Sequence, residues 1–217
     1  DQPLANGLSN FLCAIEFIVQ KIQHGVFVPY KNSQAKMQVH LGTRLASCLQ
    51  LSGDFISVQS KPCYLFKDHQ FSVLNSNNLA VKPQALSAHF SSKLLFIKPY
   101  PGLDYSLYML DNIAIVFHDL YHSGTACSSS DWGENHSLIN FLKKCQLANI
   151  PVYMAPAVKT ASVYDSTEQL LEQGAKMIWN MSLETAYVKL LLGFGNFKSI
   201  ALIDQFLQQN IANEIID

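Results

Sequence analysis

From Ser92 onward, short apolar runs that read as strands alternate with segments that read as helices, and that alternation leaves few folds open. Lys93 to Ile97, Asn112 to Phe117, Ile150 to Met154 and Lys176 to Trp179 read as strands. Leu138 to Cys145, Thr167 to Glu172, Leu183 to Leu192 and Phe197 to Gln209 read as helices, and Ser182-Leu-Glu-Thr185 looks like a capped helix start. Strands joined through helices run parallel, by right-handed crossovers. The expectation is α/β, with a small doubly wound parallel sheet covered on both faces. Ligands of such sheets sit beyond the carboxyl ends of the strands. That directs attention to Lys98 to Asp104, His118 to Asp131, Ala155 to Tyr164 and Asn180 to Met181.

The first part of the chain reads differently. Leu8, Leu12, Ile15, Val19 and Ile22 fall at helical spacing; Asn6 or Ser9 can cap that helix and Gly25 can end it. Gly25 to Val28 and Lys36 to His40 then form a hairpin around Tyr30-Lys-Asn-Ser33. From Gly42 to Asn78 the apolar pattern weakens. Turn formers and Pro83 cluster between Asn75 and Ser92, so a boundary is expected there, with residues 1–80 in a first domain, 81–92 as a linker and 93–217 as a second domain.

Of the 217 residues 49% are hydrophobic and 14% charged, a ratio that builds an apolar core without disulfide or metal staples. A net charge of −1 without a basic run argues against nucleic acid as a partner. Apolar runs such as Ile113 to Phe117 fall far short of the ~20 residues that span a bilayer, which argues against a membrane. Cys13, Cys48, Cys63, Cys127 and Cys145 show no CxxC and no zinc-site spacing, which fits a reduced, cytoplasmic setting. No cofactor motif is expected. The start at Asp1-Gln2-Pro3 fits either a processed chain or a piece of a longer one.

The segment after the second strand gathers the most chemistry: His118-Asp-Leu-Tyr-His-Ser-Gly-Thr-Ala-Cys127, followed by three serines. His118 and His122 are four apart, but a strand and Gly124 are poor company for a helical ligand pair, and no third ligand stands at a recognisable spacing, so no metal is expected. Cys127 with His122 as base is a conceivable nucleophile, although a small free cysteine is more often buried packing. Ser123-Gly124-Thr125 is the stronger candidate, because a glycine between hydroxyls lets backbone N–H groups and short side chains approach a carboxylate or amide together. A turn with capping hydroxyls explains those three residues equally well. Lys98-Pro-Tyr-Pro-Gly102-Leu-Asp104 reads as structural, with Asp104 capping a helix through Leu110.

These stretches resemble the asparaginase family, particularly its cytoplasmic type I branch and the related amidotransferase subunit. Leu94-Leu-Phe-Ile-Lys-Pro-Tyr-Pro-Gly102 resembles the strand and "YPG" segment that open the family's C-terminal domain. Asn112 to Thr125 resembles its strand and Gly-rich loop, and Asn180 to Leu191 its "DMTPEAALTKL" helix. Asp1 to Glu16 and Gly25 to Arg44 are similar to its earlier helix, hairpin and "GTR" turn. The resemblance implies a flavodoxin-like C-terminal domain joined to part of a larger α/β N-terminal domain, the chain being the C-terminal two-thirds of an L-asparaginase-like amidohydrolase. It further implies conversion of asparagine and water to aspartate and ammonia, and a homo-oligomer, dimer or tetramer, whose Gly-rich loop reaches a neighbouring subunit. Carried over to this sequence, Ser123, Gly124 and Thr125 are the substrate-binding residues, with Tyr121 and His122 flanking them. The family's nucleophilic threonine motifs do not occur in this chain, so it carries no assigned catalytic residue and is expected to be inactive as it stands. Ser47 occupies the position of the family's supporting lysine. The alternative is a non-catalytic module of the same fold that binds an amino acid or oligomerises.

Overall fold

In the computed structural model, which describes residues 5–34, 36–48, 51–75, 85–159 and 164–216, helix α1 spans Gly7–Val19. Its buried residues are Cys13 and Phe17. Leu8, Leu12, Ile15 and Val19, the face assigned to the core by spacing, are 72%, 54%, 42% and 70% exposed. The helix is apolar on nearly every side, so periodicity could not select a face; ring packing does. Phe17 meets Phe27, Tyr64 and Phe71 at centroid distances of 4.9, 5.4 and 5.2 Å. Asn6 takes the N-cap position without a capping bond. Its amide instead donates to the Lys31 carbonyl, while Asn10 accepts from the Lys31 N–H. The helix closes at Gln20, ahead of Gly25.

The chain forms two compact units, Asp1–Pro83 with Asn210–Ile216, and Gln84–Gln209. Residues 76–84, within the expected boundary zone, lie outside the described residues. In the first unit β1 (Phe27–Lys31) and β2 (Met37–Leu41) make the expected antiparallel hairpin, with Val28 opposite His40. A two-residue ladder joins β3 (Leu45–Ala46) to β4 (Ile56–Ser57). A second hairpin, β5 (Tyr64–Lys67) and β6 (Gln70–Val73), completes a sheet of order β1-β2-β5-β6. Its turn places Asp68 and His69 at φ of 50° and 58°, left-handed values adopted without glycine, so the usual turn signal is missing there. Buried Arg44 donates to the carbonyls of Asn213 and Ile215, and Glu214 accepts from the N–H groups of Ile211 and Ala212.

The second unit holds a parallel sheet of β7 (Leu94–Ile97), β8 (Ile115–Asp119), β9 (Val152–Ala157) and β10 (Lys176–Trp179), adjacent in chain order. Helices α2 (Leu138–Leu147) and α3 (Asp165–Glu172) lie in the crossovers; α4 (Leu183–Asn196) and α5 (Ile200–Gln208) follow β10. Val116, Val152 and Met154 pack with Leu138, Phe141, Leu142 and Leu170. On the alternate positions, Phe96 and Phe117 pack on Tyr187, and Tyr153 on Phe194. Strands added in one direction put α2 and α3 on one face, and α4 closes the other. The mixed α/β expectation holds, helices on both faces included. Between β7 and β8, Asp104 caps only a single 3-10 turn, Tyr105–Leu107, in place of the expected helix through Leu110, because Tyr105 turns inward onto Phe141.

Candidate functional site

β8 is buried along its whole length, and its end delivers the chain to a closed turn. The Tyr121 N–H donates to the Thr125 carbonyl at 2.9 Å, and the Gly124 N–H to the Tyr121 carbonyl at 2.8 Å. Gly124 takes φ of 73°, where L side chains are strained, and the turn needs that residue for its hand. The five residues singled out by sequence thus form one small ring of backbone at the carboxyl end of the sheet. Ser123 Oγ and Thr125 Oγ1 lie 2.8 Å apart, and Thr167 of α3 donates to the Gly124 carbonyl at 3.3 Å, fixing the base of the turn. His122 and Ser123 are exposed; Tyr121, Gly124 and Thr125 are half-buried. One hydroxyl of the pair donates to the other. The pair therefore still offers one O–H and several lone pairs to an incoming amide or carboxylate.

The other histidine of this segment has a different role. His118 is buried, its Nδ1 donates to the Asp119 carbonyl, and its Nε2 accepts from the Tyr105 hydroxyl at 2.8 Å. A carbonyl can only accept, which fixes that tautomer. Burial pushes the His118 pKa down to about 4, so the ring is neutral near pH 7. Asp119 is also buried; burial raises its carboxyl pKa, opposed by the Leu120 N–H and Lys98. Among the described residues no group of three or more His, Cys, Asp or Glu side chains is placed to hold a metal ion. The Cys127 thiol donates to the Ser129 carbonyl at 3.7 Å.

At the next strand end, the Asn180 side chain accepts from the Lys159 N–H at 2.8 Å, and Ser182 caps α4 through the Thr185 N–H, as the sequence indicated. Ser47, which the resemblance set against a lysine, is exposed. Sequence reasoning passed over Tyr105, Trp132 and His136, which surround Tyr121 about a common cavity. The YPG segment and an isolated Trp-Gly pair after the serines were the available signals. No helix among the described residues is long and apolar enough to cross a membrane.

Comparison with solved structures shows the asparaginase fold for the chain. The thermostable L-asparaginase from Thermococcus kodakarensis superposes with a TM-score of 0.77 at 19% identity, over 100% of this chain and 64% of that one. L-asparaginase I from Vibrio cholerae gives 0.62 at 16% identity, over 99% and 64%. In sequence, a glutamyl-tRNA(Gln) amidotransferase subunit of Methanosphaera stadtmanae is 20% identical over 226 residues, and its counterpart in Saccharolobus solfataricus 26% identical over 195. No family model matches. At these identities the likeness is one of fold. The chain spans 50% and 43% of the length of those two sequence relatives.

Proposed function

We propose that this chain supplies the small lobe and a substrate-binding loop of an asparaginase-like amidohydrolase, with L-asparagine or a related amide as substrate. Water adds to the side-chain carbonyl, the C–N bond breaks, and aspartate and ammonia leave. The closed turn Tyr121 to Thr125 carries this reading, because it holds a hydroxyl pair on a rigid ring of backbone at the strand end. Ser123 and Thr125 contact the substrate, Gly124 lets the backbone approach it, and Tyr121 and His122 border the site. Because sites in the resembling family form between subunits, the working protein is a homo-oligomer, in a cytoplasmic setting. Ammonia release from asparagine and glutamine by the full natural gene product tests the proposal; a folded product that releases none from either amide contradicts it.

Ser47 favours a second reading. A serine supplies neither the cation nor the base that a lysine offers to a nucleophile, and a fold of this kind without turnover would serve as an amino-acid-binding or oligomerising module. Calorimetric titration with Asn, Asp, Gln and Glu separates the two, since this reading requires binding without hydrolysis.

A further inference from the structure

Beside the Tyr121 turn, and sharing Tyr121 with it, the second unit contains a cavity of about 550 Å³. Its volume falls within the range of small-molecule sites. Tyr100 to Leu103 follow β7 and Tyr121 follows β8, so the cavity opens at the carboxyl ends of parallel strands, where ligands of such sheets bind.

The walls define the chemistry of an occupant. Tyr100, Tyr105, Tyr121 and Trp132 contribute four aromatic rings, and the described lining residues include no Asp, Glu, Lys or Arg. A charged ligand would lose hydration there with no Asp, Glu, Lys or Arg side chain on the described walls to replace it. Part of the wall is preformed: the Tyr105 hydroxyl is held by His118 at 2.8 Å, and its ring stacks on Phe141 at a centroid distance of 4.9 Å. At the rim, Trp132 is 84% exposed and Tyr100 51%, so large apolar rings stand in water where a flat partner would cover them. One polar group has a defined sense. His136 Nδ1 donates to the Leu103 carbonyl at 2.9 Å, and the tautomer with its single proton on Nδ1 offers Nε2 as an acceptor.

We infer that this cavity binds a neutral, planar aromatic heterocycle of one or two fused rings bearing a ring N–H, which packs on the tyrosine and tryptophan rings and donates to His136 Nε2. Indole is the test probe, followed by calorimetry and saturation-transfer NMR. N-methylindole removes the donor, indole-3-acetate adds a charge, and cyclohexanol removes the ring. Indole binds saturably, the three analogues bind more weakly, and Trp132→Ala weakens indole by roughly tenfold. Trp132 is exposed, so its truncation spares the core; Tyr121→Leu serves as the second variant, with circular dichroism to confirm the fold of both. Cys127 lines the same cavity while exposed Cys48 does not, so indole slows alkylation of Cys127 by N-ethylmaleimide and leaves Cys48 unchanged. Absence of saturable binding, equal binding of cyclohexanol, or indole binding unaltered in a folded variant overturns the inference. None of these outcomes depends on amide hydrolysis.

Discussion

His40 and His118 are buried in different units, and burial pushes the pKa of each down to about 4 from 6.5. Between those values the unfolded chain takes up protons that the native chain refuses. Their effect is therefore nil well above pH 6.5, and stability falls as the pH drops from about 6.5 towards about 4. Urea unfolding at pH 7 and pH 5 should show this loss. His40→Gln or His118→Gln should each reduce the dependence, by up to about 1.4 kcal/mol per pH unit; an unchanged slope in both variants would contradict the burial argument. Arg44 gives a second residue-scale prediction. Its guanidinium serves the carbonyls of Asn213 and Ile215 inside the first unit, and Arg44→Met removes those donors from a buried site. A loss of about 2–4 kcal/mol is expected by urea unfolding, with faster amide exchange over residues 210–216.

Among the elements, α1 separates packing from pattern. Phe17→Ala opens the aromatic cluster and should cost about 3–5 kcal/mol, whereas Leu12→Ala on the exposed face should change stability by less than about 0.5 kcal/mol. The reverse order in chemical denaturation would restore the face that sequence spacing favours. α4 contains Gly195, where a Cβ would fall on the His89 carbonyl inside contact distance. Alanine gains about 1 kcal/mol of helix propensity over glycine, but the obstacle is backbone and cannot rotate away. Gly195→Ala should therefore destabilise the second unit by about 1–3 kcal/mol and expose residues 85–92 to proteolysis. The strands of the second unit were legible because strands covered on both faces read as apolar runs. The face of α1 and the β5–β6 hairpin were not, since an all-round apolar helix carries no directional signal and the Asp68-His69 turn lacks glycine. The Tyr121 to Thr125 segment stood out from its place after a strand. The cavity shared by Tyr121, Trp132 and His136 joins segments that local pattern cannot connect.

For the whole molecule, the fold is that of L-asparaginases at identities of 16–19%, a level at which architecture persists while local chemistry diverges. Tyr121 to Thr125 lies at the carboxyl end of β8 in the second unit. Steady-state ammonia release by the full natural gene product and its Thr125→Val variant measures the central claim most directly. Valine keeps the shape and removes the hydroxyl that pairs with Ser123. The account predicts turnover of asparagine or a related amide by the natural protein, with KM raised roughly tenfold in the folded variant. Identical KM and kcat in both proteins would contradict the role given to the loop, and a folded natural protein that turns over no amide would contradict the enzyme itself.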